Sequence, residues 1–340
     1  MKRKINCIKS NISAVCFHIY IEILDGLWYN YSMINKKVKG EACKMDDARR
    51  CYLCPRRCGA ARGAGETGAC GESFDMRISR IALHPYEEPP ISGRNGSGTV
   101  FFCGCSLRCV FCQNRDISRG RSAGKVYTPE ALGEAMLSLE KQGATNINLV
   151  TPTHFAHEVA QALRAVKDKL SIPVVYNTSG YETVETLRML EGLVDIYMPD
   201  FKYMSAELAG DYSSAPDYGE VAEAAVTEMY RQVGRYVYAD DGTLKRGLLV
   251  RHLVLPGCRA DSMAVLRRLA EILPTDGILL SLMSQYTPDF ALDCPHKNLR
   301  RRLTRFEYDS VAGTAISLGF DGFMQSRSSA VKDYTPNFEK

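Results

Sequence analysis

The sequence predicts an α/β protein: a partial, open (β/α)6 TIM-like barrel preceded by a small cysteine-rich module. From Gly98 onward, six short apolar runs alternate with amphipathic stretches, which is the pattern of parallel strands separated by helices. The six strand–helix units average roughly 34 residues, near the ~31 of a full eight-unit barrel, but six units are too few to close one. A doubly wound parallel sheet is the alternative fold.

The predicted strands are short and rich in Val, Ile and Leu, as is typical of parallel strands that are buried on both faces. They are Thr99–Phe102, Ile147–Val150, Pro173–Tyr176, Val194–Met198, Gly247–Leu255 and Ile278–Leu282. Helix signals lie between and after them. Thr128 is expected to cap a helix whose first residue is Pro129. Near the end of the chain, Thr304 and Glu307 have the spacing of a capping box.

The composition is that of a soluble globular protein. Of 340 residues, 24% are charged and 45% are hydrophobic, which excludes wholesale disorder and a collagen-like fibre. The net charge of +4 comes from residues 1–44, which carry eight Lys and Arg against three Asp and Glu. The rest of the chain is close to neutral, so charge gives no reason to expect nucleic acid or an anionic membrane as a partner.

Composition also divides the chain. Residues 1–44 are rich in Ile, Asn and Lys, but charged residues interrupt every apolar run, so no membrane span is expected. We interpret them as a loosely structured head, translated from upstream of a true start at Met33 or Met45. Residues 45–97 are the predicted cysteine-rich module, 98–323 the barrel and 324–340 a polar, frayed tail.

Cysteine is unusually frequent, with 13 residues. An odd total without a recognisable secretion signal argues against a disulfide framework and for metal ligation in a reducing compartment. We therefore expect a cytoplasmic protein.

Three of these cysteines directly follow the first predicted strand. Cys105, Cys109 and Cys112 are spaced by four and three residues, and a loop at the end of a strand can bring three thiolates to one site. Three soft ligands cannot close a tetrahedral zinc site, but they can hold three irons of a [4Fe–4S] cluster and leave the fourth open. We predict such a cluster here.

This triplet resembles the signature of the radical S-adenosylmethionine (SAM) superfamily, C-x3-C-x2-C with an aromatic residue, here Phe111, before the last cysteine. The stretches that flank it are similar to those of the activating enzymes of glycyl radical enzymes, typified by pyruvate formate-lyase activating enzyme. A little-characterised branch of that group resembles residues 51 to about 320 more closely. Its marks in this chain are Cys54–Cys58, Glu87–Pro89, Thr151–His154 and Arg251–Gly257.

The resemblance implies a mechanism. The open iron chelates the amino and carboxylate groups of SAM, and one electron from the reduced cluster splits the sulfonium into methionine and a 5′-deoxyadenosyl radical. The radical takes a hydrogen atom from the substrate, by resemblance a glycine of a partner enzyme. The protein supplies position and exclusion of water. The implied electron donor is reduced flavodoxin or ferredoxin.

Polar residues at the carboxyl ends of the strands should surround this centre, since barrel sites lie at that end. The residues predicted to bind the cofactor are Phe111, Thr151, His154, Asn177, Ser179, Asp200 and Arg251. Arg251 could pair with the SAM carboxylate as a planar fork, and Asn177 and Ser179 could hydrogen-bond the ribose or carboxylate. Asp200 has a plain salt bridge with Lys202 as its alternative.

Thr151 and His154 stand where the superfamily commonly has a Gly-Gly-Glu-like segment that receives the SAM amino group. This chain departs from that pattern. The alternative for His154 is a hydrogen-bonded cap of the following helix.

A second cysteine group precedes the barrel. Cys51, Cys54, Cys58 and Cys70 are four thiolates, enough for a structural zinc site or another iron–sulfur cluster. We predict a second metal there, with a mainly structural role.

Three functions remain open at the level of the sequence. The leading one is the activation of a glycyl radical enzyme. The alternative is radical SAM modification of another peptide or of a small molecule. A more remote one is a non-catalytic protein with zinc at both cysteine groups.

Overall fold

The computed structural model describes residues 50–119 and 124–325. The predicted head at 1–44 and almost all of the predicted tail lie outside these ranges. Within them, ten strands belong to one sheet. They are β1 (Arg77–His84), β2 (Ser97–Phe102), β3 (Lys125–Val126), β4 (Ile147–Val150), β5 (Val174–Thr178), β6 (Ile196–Pro199), β7 (Val237–Tyr238), β8 (Leu244–Leu253), β9 (Leu279–Met283) and β10 (Asp321–Met324).

Helices alternate with these strands along the chain. They are α1 (Pro89–Ser92), α2 (Arg115–Ser118), α3 (Pro129–Lys141), α4 (Ala156–Val166), α5 (Val184–Met189), α6 (Ala206–Ser213), α7 (Tyr218–Val233), α8 (Arg259–Ile272) and α9 (Arg305–Ser317). The two predicted caps are present. Thr128 accepts a hydrogen bond from the amide of Ala131, and Thr304 and Glu307 form the capping box. Within the described ranges, no helix is both long enough and apolar enough to cross a bilayer.

The strand order is β10-β9-β8-β6-β5-β4-β2-β1-β3, with β7 paired to β8. All six predicted strands are present, as β2, β4, β5, β6, β8 and β9, and they pair in parallel in chain order. The α/β prediction with a largely parallel sheet is therefore confirmed. The order is open, with β3 and β10 at its two edges.

Four strands were not predicted. β10 adds to β9 in parallel, but Gly322 and a mostly exposed pattern leave it without an apolar run. β1 pairs antiparallel with β2, although it lies within the segment assigned to the cysteine-rich module. The division into module and barrel at residue 97 stays a prediction, but β1, which lies before that residue, belongs to the same sheet as the barrel strands.

Each strand presents alternate residues to the two faces of the sheet. One face packs on the helices through buried residues that include Val100, Leu149, Tyr176 and Leu248. On the other face, Val175, Ile196, Leu249 and Leu279 pack with Ile91 of α1. The next residues of this inner face, two positions further along each strand, are Asn177, Met198, Arg251 and Ser281. Three of these four are polar, so the inner face changes from apolar to polar toward the carboxyl ends of the strands.

Candidate metal and cofactor site

The triplet of cysteines lies in the loop between β2 and α2, at the carboxyl end of β2. Burial and then the charges of Cys109 and Cys112 raise the pKa of the Cys105 thiol. Burial and then the charge of Cys109 raise that of Cys112. The three thiols are partly buried and close enough to act on one another electrostatically. Thiolates so placed repel each other unless cations lie between them, which fits a cluster held by three cysteines.

Each sulfur of the triplet also has a polar neighbour. The amide of Leu107 donates to Cys105 Sγ at 3.4 Å. The hydroxyls of Ser213 and Ser118 lie 3.0 Å from Cys109 Sγ and 3.5 Å from Cys112 Sγ. Hydrogen bonds to cluster ligands adjust the reduction potential. Among residues 50–119 and 124–325, no three His, Cys, Asp or Glu side chains are placed to hold a single metal ion.

The sheet curves enough to bring the loop after β2 to the loop after β9. Phe111 is buried, and its ring meets that of Tyr286 edge-on at 6.2 Å. Gln113 Nε2 donates to the carbonyl of Gln285 at 3.3 Å. These contacts span the first and last strands predicted for the barrel, so the triplet lies at the mouth of a curved sheet.

Three predicted cofactor residues meet on the inner face. Arg251 donates to Asn177 Oδ1 at 2.7 Å and to Asp200 Oδ1 at 3.0 Å. Lys202 Nζ lies 2.5 Å from the other oxygen of Asp200. Burial alone would raise the pKa of Asp200, but Arg251 and Lys202 outweigh burial and hold that pKa below its usual value. The predicted Asp200–Lys202 salt bridge is therefore present, within a larger network.

Glu87 completes this network, and no site role was predicted for it. Glu87 Oε2 lies 3.5 Å from Arg251 Nη1, and Asn148 donates to its other oxygen at 3.0 Å. Burial raises the pKa of Glu87 to about 7, against the opposing charge of Arg251. The sequence signal was the Glu-Glu-Pro mark at 87–89, but the contact with β8 joins residues far apart in the chain. We call Glu87, Asn177, Asp200, Lys202 and Arg251 the inner charged layer.

Thr151 and His154 follow β4, as predicted, but only one of them approaches the triplet loop. Thr151 has a left-handed backbone, with φ of 58°, and its amide donates to the Asn177 carbonyl at 2.8 Å. His154 is buried, and its Nε2 lies 2.6 Å from the carbonyl of Cys103. Burial lowers the pKa of His154 to about 3, so the ring is neutral and donates from Nε2. His154 thus holds the backbone at the start of the triplet loop.

Ser179 stands apart from the other predicted residues. Its hydroxyl oxygen is buried and has no hydrogen-bond partner among the described residues. Its carbonyl accepts from Tyr218, whose hydroxyl also lies 2.8 Å from the carbonyl of Asp200. Ser179 is therefore joined to the inner charged layer only through its backbone carbonyl, by way of the Tyr218 hydroxyl.

A buried carboxyl group lies beside this site and was also missed. Glu182 is 2% exposed, and one of its oxygens accepts from the hydroxyls of Thr153 and Thr178. Burial raises the pKa of Glu182 to about 7, against those two hydrogen bonds. Nothing in the local sequence distinguishes Glu182 from an exposed glutamate.

The four upstream cysteines also lie near one another, and none of the four forms a disulfide. Burial raises the pKa of Cys54 to about 12, with further contributions from the charges of Cys70 and Cys51. A Cβ at Gly68 would lie 3.3 Å from Cys70 Sγ and 3.4 Å from Cys58 Sγ. Cys58 and Cys70 thus lie on either side of Gly68, and Cys54 lies within electrostatic reach of Cys51 and Cys70.

The chain is similar to several proteins of known sequence or structure. The uncharacterized protein MJ0674 of Methanocaldococcus jannaschii is 28% identical over 287 residues, which cover 80% of this chain and 76% of that protein. A solved radical SAM methyltransferase from Sphaerobacter thermophilus is 12% identical with a TM-score of 0.46, over 67% of this chain and 66% of its own. Streptococcus suis SuiB, solved bound to its precursor peptide SuiA, is 11% identical with a TM-score of 0.43, over 72% and 50%. This chain thus spans just under two thirds of the first structure and half of the second.

The family model of the radical SAM superfamily matches residues 99–227. The matched stretch begins in β2, contains the cysteine triplet and runs into α7. Over this stretch the chain is similar to the radical SAM superfamily, and the three cysteines of the matched stretch lie at the mouth of a largely parallel sheet.

Proposed function

We propose that this radical SAM enzyme is an oxidoreductase that abstracts a hydrogen atom from a glycine of a partner protein. The observation that carries the radical chemistry is the position of the three cysteines in one loop at the carboxyl end of β2, at the mouth of the curved sheet. The choice of a glycine as the substrate is a separate and more specific part of the proposal. It is supported by the resemblance of the triplet loop to activating enzymes.

Cys105, Cys109 and Cys112 would each hold one iron of a [4Fe–4S] cluster. When bound, the cluster supplies the electron that cleaves SAM to methionine and a 5′-deoxyadenosyl radical. The protein's own contribution is position and exclusion of water. Phe111 and Tyr286 close the side of the loop that faces β9, while Leu107, Ser118 and Ser213 place polar hydrogens by the sulfurs.

Arg251 takes a different part in this proposal from the one its sequence position suggests. Its guanidinium already meets Asp200, Asn177 and Glu87, so a SAM carboxylate would have to displace one of them. We propose that Arg251 holds the inner charged layer together. Among the residues predicted to bind the cofactor, Ser179 is then the one best able to donate to a ligand, because its hydroxyl has no hydrogen-bond partner among the described residues.

A second class of substrate is favoured by one observation. Residues 50–73 contact the loops that follow β2, β4 and β5, and this narrows the mouth through which a folded partner would insert a glycine loop. A flexible peptide or a small molecule needs less room. Reduced flavodoxin or ferredoxin remains the proposed electron donor for either substrate.

Formation of 5′-deoxyadenosine tests the radical chemistry. Anaerobically reconstituted protein, given SAM and dithionite, should produce 5′-deoxyadenosine and bind iron. Cys109→Ala should lose more than about 100-fold of this activity, because losing a residue that merely orients a metal ligand already costs about 10- to 100-fold. Cys294→Ala is the matched control, since Cys294 is a buried cysteine outside both groups. Equal turnover by Cys109→Ala would overturn the cluster assignment, as would a colourless wild type with zinc alone.

Electron paramagnetic resonance separates the two substrate classes. The enzyme, SAM and reductant are incubated with candidate glycyl radical enzymes from the same organism. A carbon-centred doublet on the partner supports the activase proposal. Robust 5′-deoxyadenosine formation without a doublet on any candidate favours a peptide or small molecule instead.

A further inference from the structure

The segment that carries the four upstream cysteines lies across the loops of the mouth. We call residues 50–73 the strap. It contacts the triplet loop, the loop after β4, the start of α5 and the end of α6. Three of these four regions follow strands of the parallel sheet, so the strap covers part of the edge where the site lies.

Arg56, which lies between Cys54 and Cys58, makes the most extensive of these contacts. It donates to the carbonyl of Ser106 at 2.7 Å, inside the triplet loop. It also donates to the carbonyls of Ser213, at 3.1 Å, and Ser214, which end α6. Ser213 in turn touches Cys109 Sγ. One strap side chain therefore holds two of the segments that surround the triplet.

Arg62 makes a second connection. It is 3% exposed and donates to the carbonyls of Ser73, at 2.8 Å, and His154, at 2.5 Å. The same guanidinium lies 3.8 Å from Cys51 Sγ. Because His154 holds Cys103, Arg62 connects the strap cysteines to the residue that begins the triplet loop.

The two cysteine groups also meet through their backbones. The amide of Cys105 donates to the carbonyl of Cys70 at 3.1 Å, so a residue of each cysteine group takes part in one hydrogen bond. Beside it, a Cβ at Gly104 would lie 2.4 Å from Glu72 Cγ and 2.9 Å from the Cys70 carbonyl. The strap therefore reaches the triplet loop at a point where there is no room for a side chain.

The strap has no apolar core of its own to hold this shape. Among its residues, the buried apolar side chains are those of Cys54 and Cys70, and its only helical turn is three residues long, Arg62–Ala64. Segments this small usually need a disulfide or a metal to stay folded on their own, and the four cysteines of the strap form no disulfide. Four grouped thiols are a ligand set for zinc or for an iron–sulfur cluster.

We propose that Cys51, Cys54, Cys58 and Cys70 bind a second metal centre through four thiolates, and that this centre fastens the strap over the mouth. No single-ion site is formed among the described residues, so the proposal requires the four sulfurs to come closer together when the metal binds. All four belong to the strap, so this closure keeps Arg56, Arg62 and Cys70 against the triplet loop. The site is separate from the triplet and does not depend on which substrate the enzyme uses.

Metal analysis of a protein without the triplet tests this proposal. The Cys105→Ala/Cys109→Ala/Cys112→Ala variant is reconstituted anaerobically, and its iron, sulfide and zinc are measured. About four irons with matching sulfide identify a cluster, and about one zinc identifies a zinc centre; either supports a four-thiolate site. Adding Cys58→Ala should abolish that metal, while adding Cys294→Ala should leave it. Absence of both metals, or metal that survives Cys58→Ala, overturns the proposal.

Trypsin cleavage after Arg57 provides a measurement on the wild-type chain, in case the triple variant does not fold. Arg57 is exposed and lies next to the ligand Cys58. Removal of metal should accelerate this cut, as followed by mass spectrometry, while cuts at the exposed Arg188 of α5 keep their rate. Equal cleavage at Arg57 with and without metal would show that no centre fastens the strap.

Discussion

The strap and the inner charged layer flank the same cysteine triplet but are held by different interactions. Arg56 and Arg62 of the strap donate to backbone carbonyls, and Cys70 and Cys105 meet backbone to backbone. In the inner charged layer, Arg251, Asp200 and Lys202 pair side chain with side chain. The strap therefore depends on where the backbone lies, whereas the layer depends on its balance of charge. A change of volume should damage the first, and a change of charge the second.

Gly104→Ala tests the dependence of the strap on volume and should have the largest effect. Gly104 has φ of 80°, and its new Cβ would lie within 2.9 Å of two strap atoms. Left-handed strain and overpacking together should lower the free energy of unfolding by about 3–5 kcal/mol. Urea denaturation measures it. Gly313→Ala is the control, since nothing lies within 4 Å of the position of its Cβ. A loss below about 1 kcal/mol at Gly104 would mean that the strap moves away freely.

Asp200→Asn tests the dependence of the inner charged layer on charge at nearly constant volume. It leaves Arg251 and Lys202, both mostly buried, without their shared carboxylate. Removing one partner of a buried ion pair in this way should lower the free energy of unfolding by about 3 kcal/mol at pH 7. Asp276→Asn breaks an exposed pair with Arg235 instead and should cost less than about 1 kcal/mol.

The dependence on pH gives the Asp200 prediction a second readout. The pKa of Asp200 is held low in the folded state, so its stabilising contribution is complete above the unfolded pKa of about 3.9 and is lost as the pH falls through the lower, folded value. The difference in stability between wild type and Asp200→Asn should therefore shrink in acid. A difference that stays constant from pH 7 to pH 3 would contradict the role of charge.

The sequence could predict the features that leave a local pattern, but not the contacts that join the strap and the inner charged layer to distant parts of the chain. The six parallel strands were predicted from continuous runs of Val, Ile and Leu, because burial on both faces leaves a local signal. The cysteine triplet was predicted from its spacing. The contact of Glu87 with Arg251 joins the segment before the barrel to β8, and the contacts of Arg56 join residues more than a hundred positions apart. Such contacts depend on the curvature of the sheet, which no local pattern records.

Glu182→Gln sharpens the comparison, because it changes a buried carboxyl whose charge the fold does not use. The folded pKa is raised from 4.5 to about 7 by burial. Between these values the folded state binds more protons than the unfolded one, so this group makes stability fall as the pH rises. Glutamine keeps the oxygen that accepts from Thr153 and Thr178. We expect the variant to gain about 1–3 kcal/mol relative to wild type between pH 5 and pH 8.

Thermal unfolding at pH 5 and at pH 8 measures the difference in stability between Glu182→Gln and the wild type. Glu185→Gln, at an exposed position of α5, is the control and should show almost no change with pH. If Glu182→Gln instead lost stability at pH 8, the carboxylate would be charged and paired in the folded state. Glu182 would then behave like Asp200, and the contrast would fail at that residue.

Thr151→Gly has the smallest expected effect and lies where the two regions meet. The amide of Thr151 donates to Asn177 of the inner charged layer, and three residues later the carbonyl of His154 accepts from Arg62 of the strap. The backbone of Thr151 has a φ of 58°, which costs about 1–2 kcal/mol for a residue with a side chain. Glycine removes this strain, but its greater chain entropy in the unfolded state lowers the free energy of unfolding by about 0.5–1 kcal/mol. The free energy of unfolding should rise by less than about 1 kcal/mol. If the affinity for SAM falls at the same time, as measured by equilibrium binding to the reconstituted protein, the strained threonine is retained for its side chain. If stability falls instead, contacts of that side chain outweigh the strain, and Thr151 is a structural link between strap and layer.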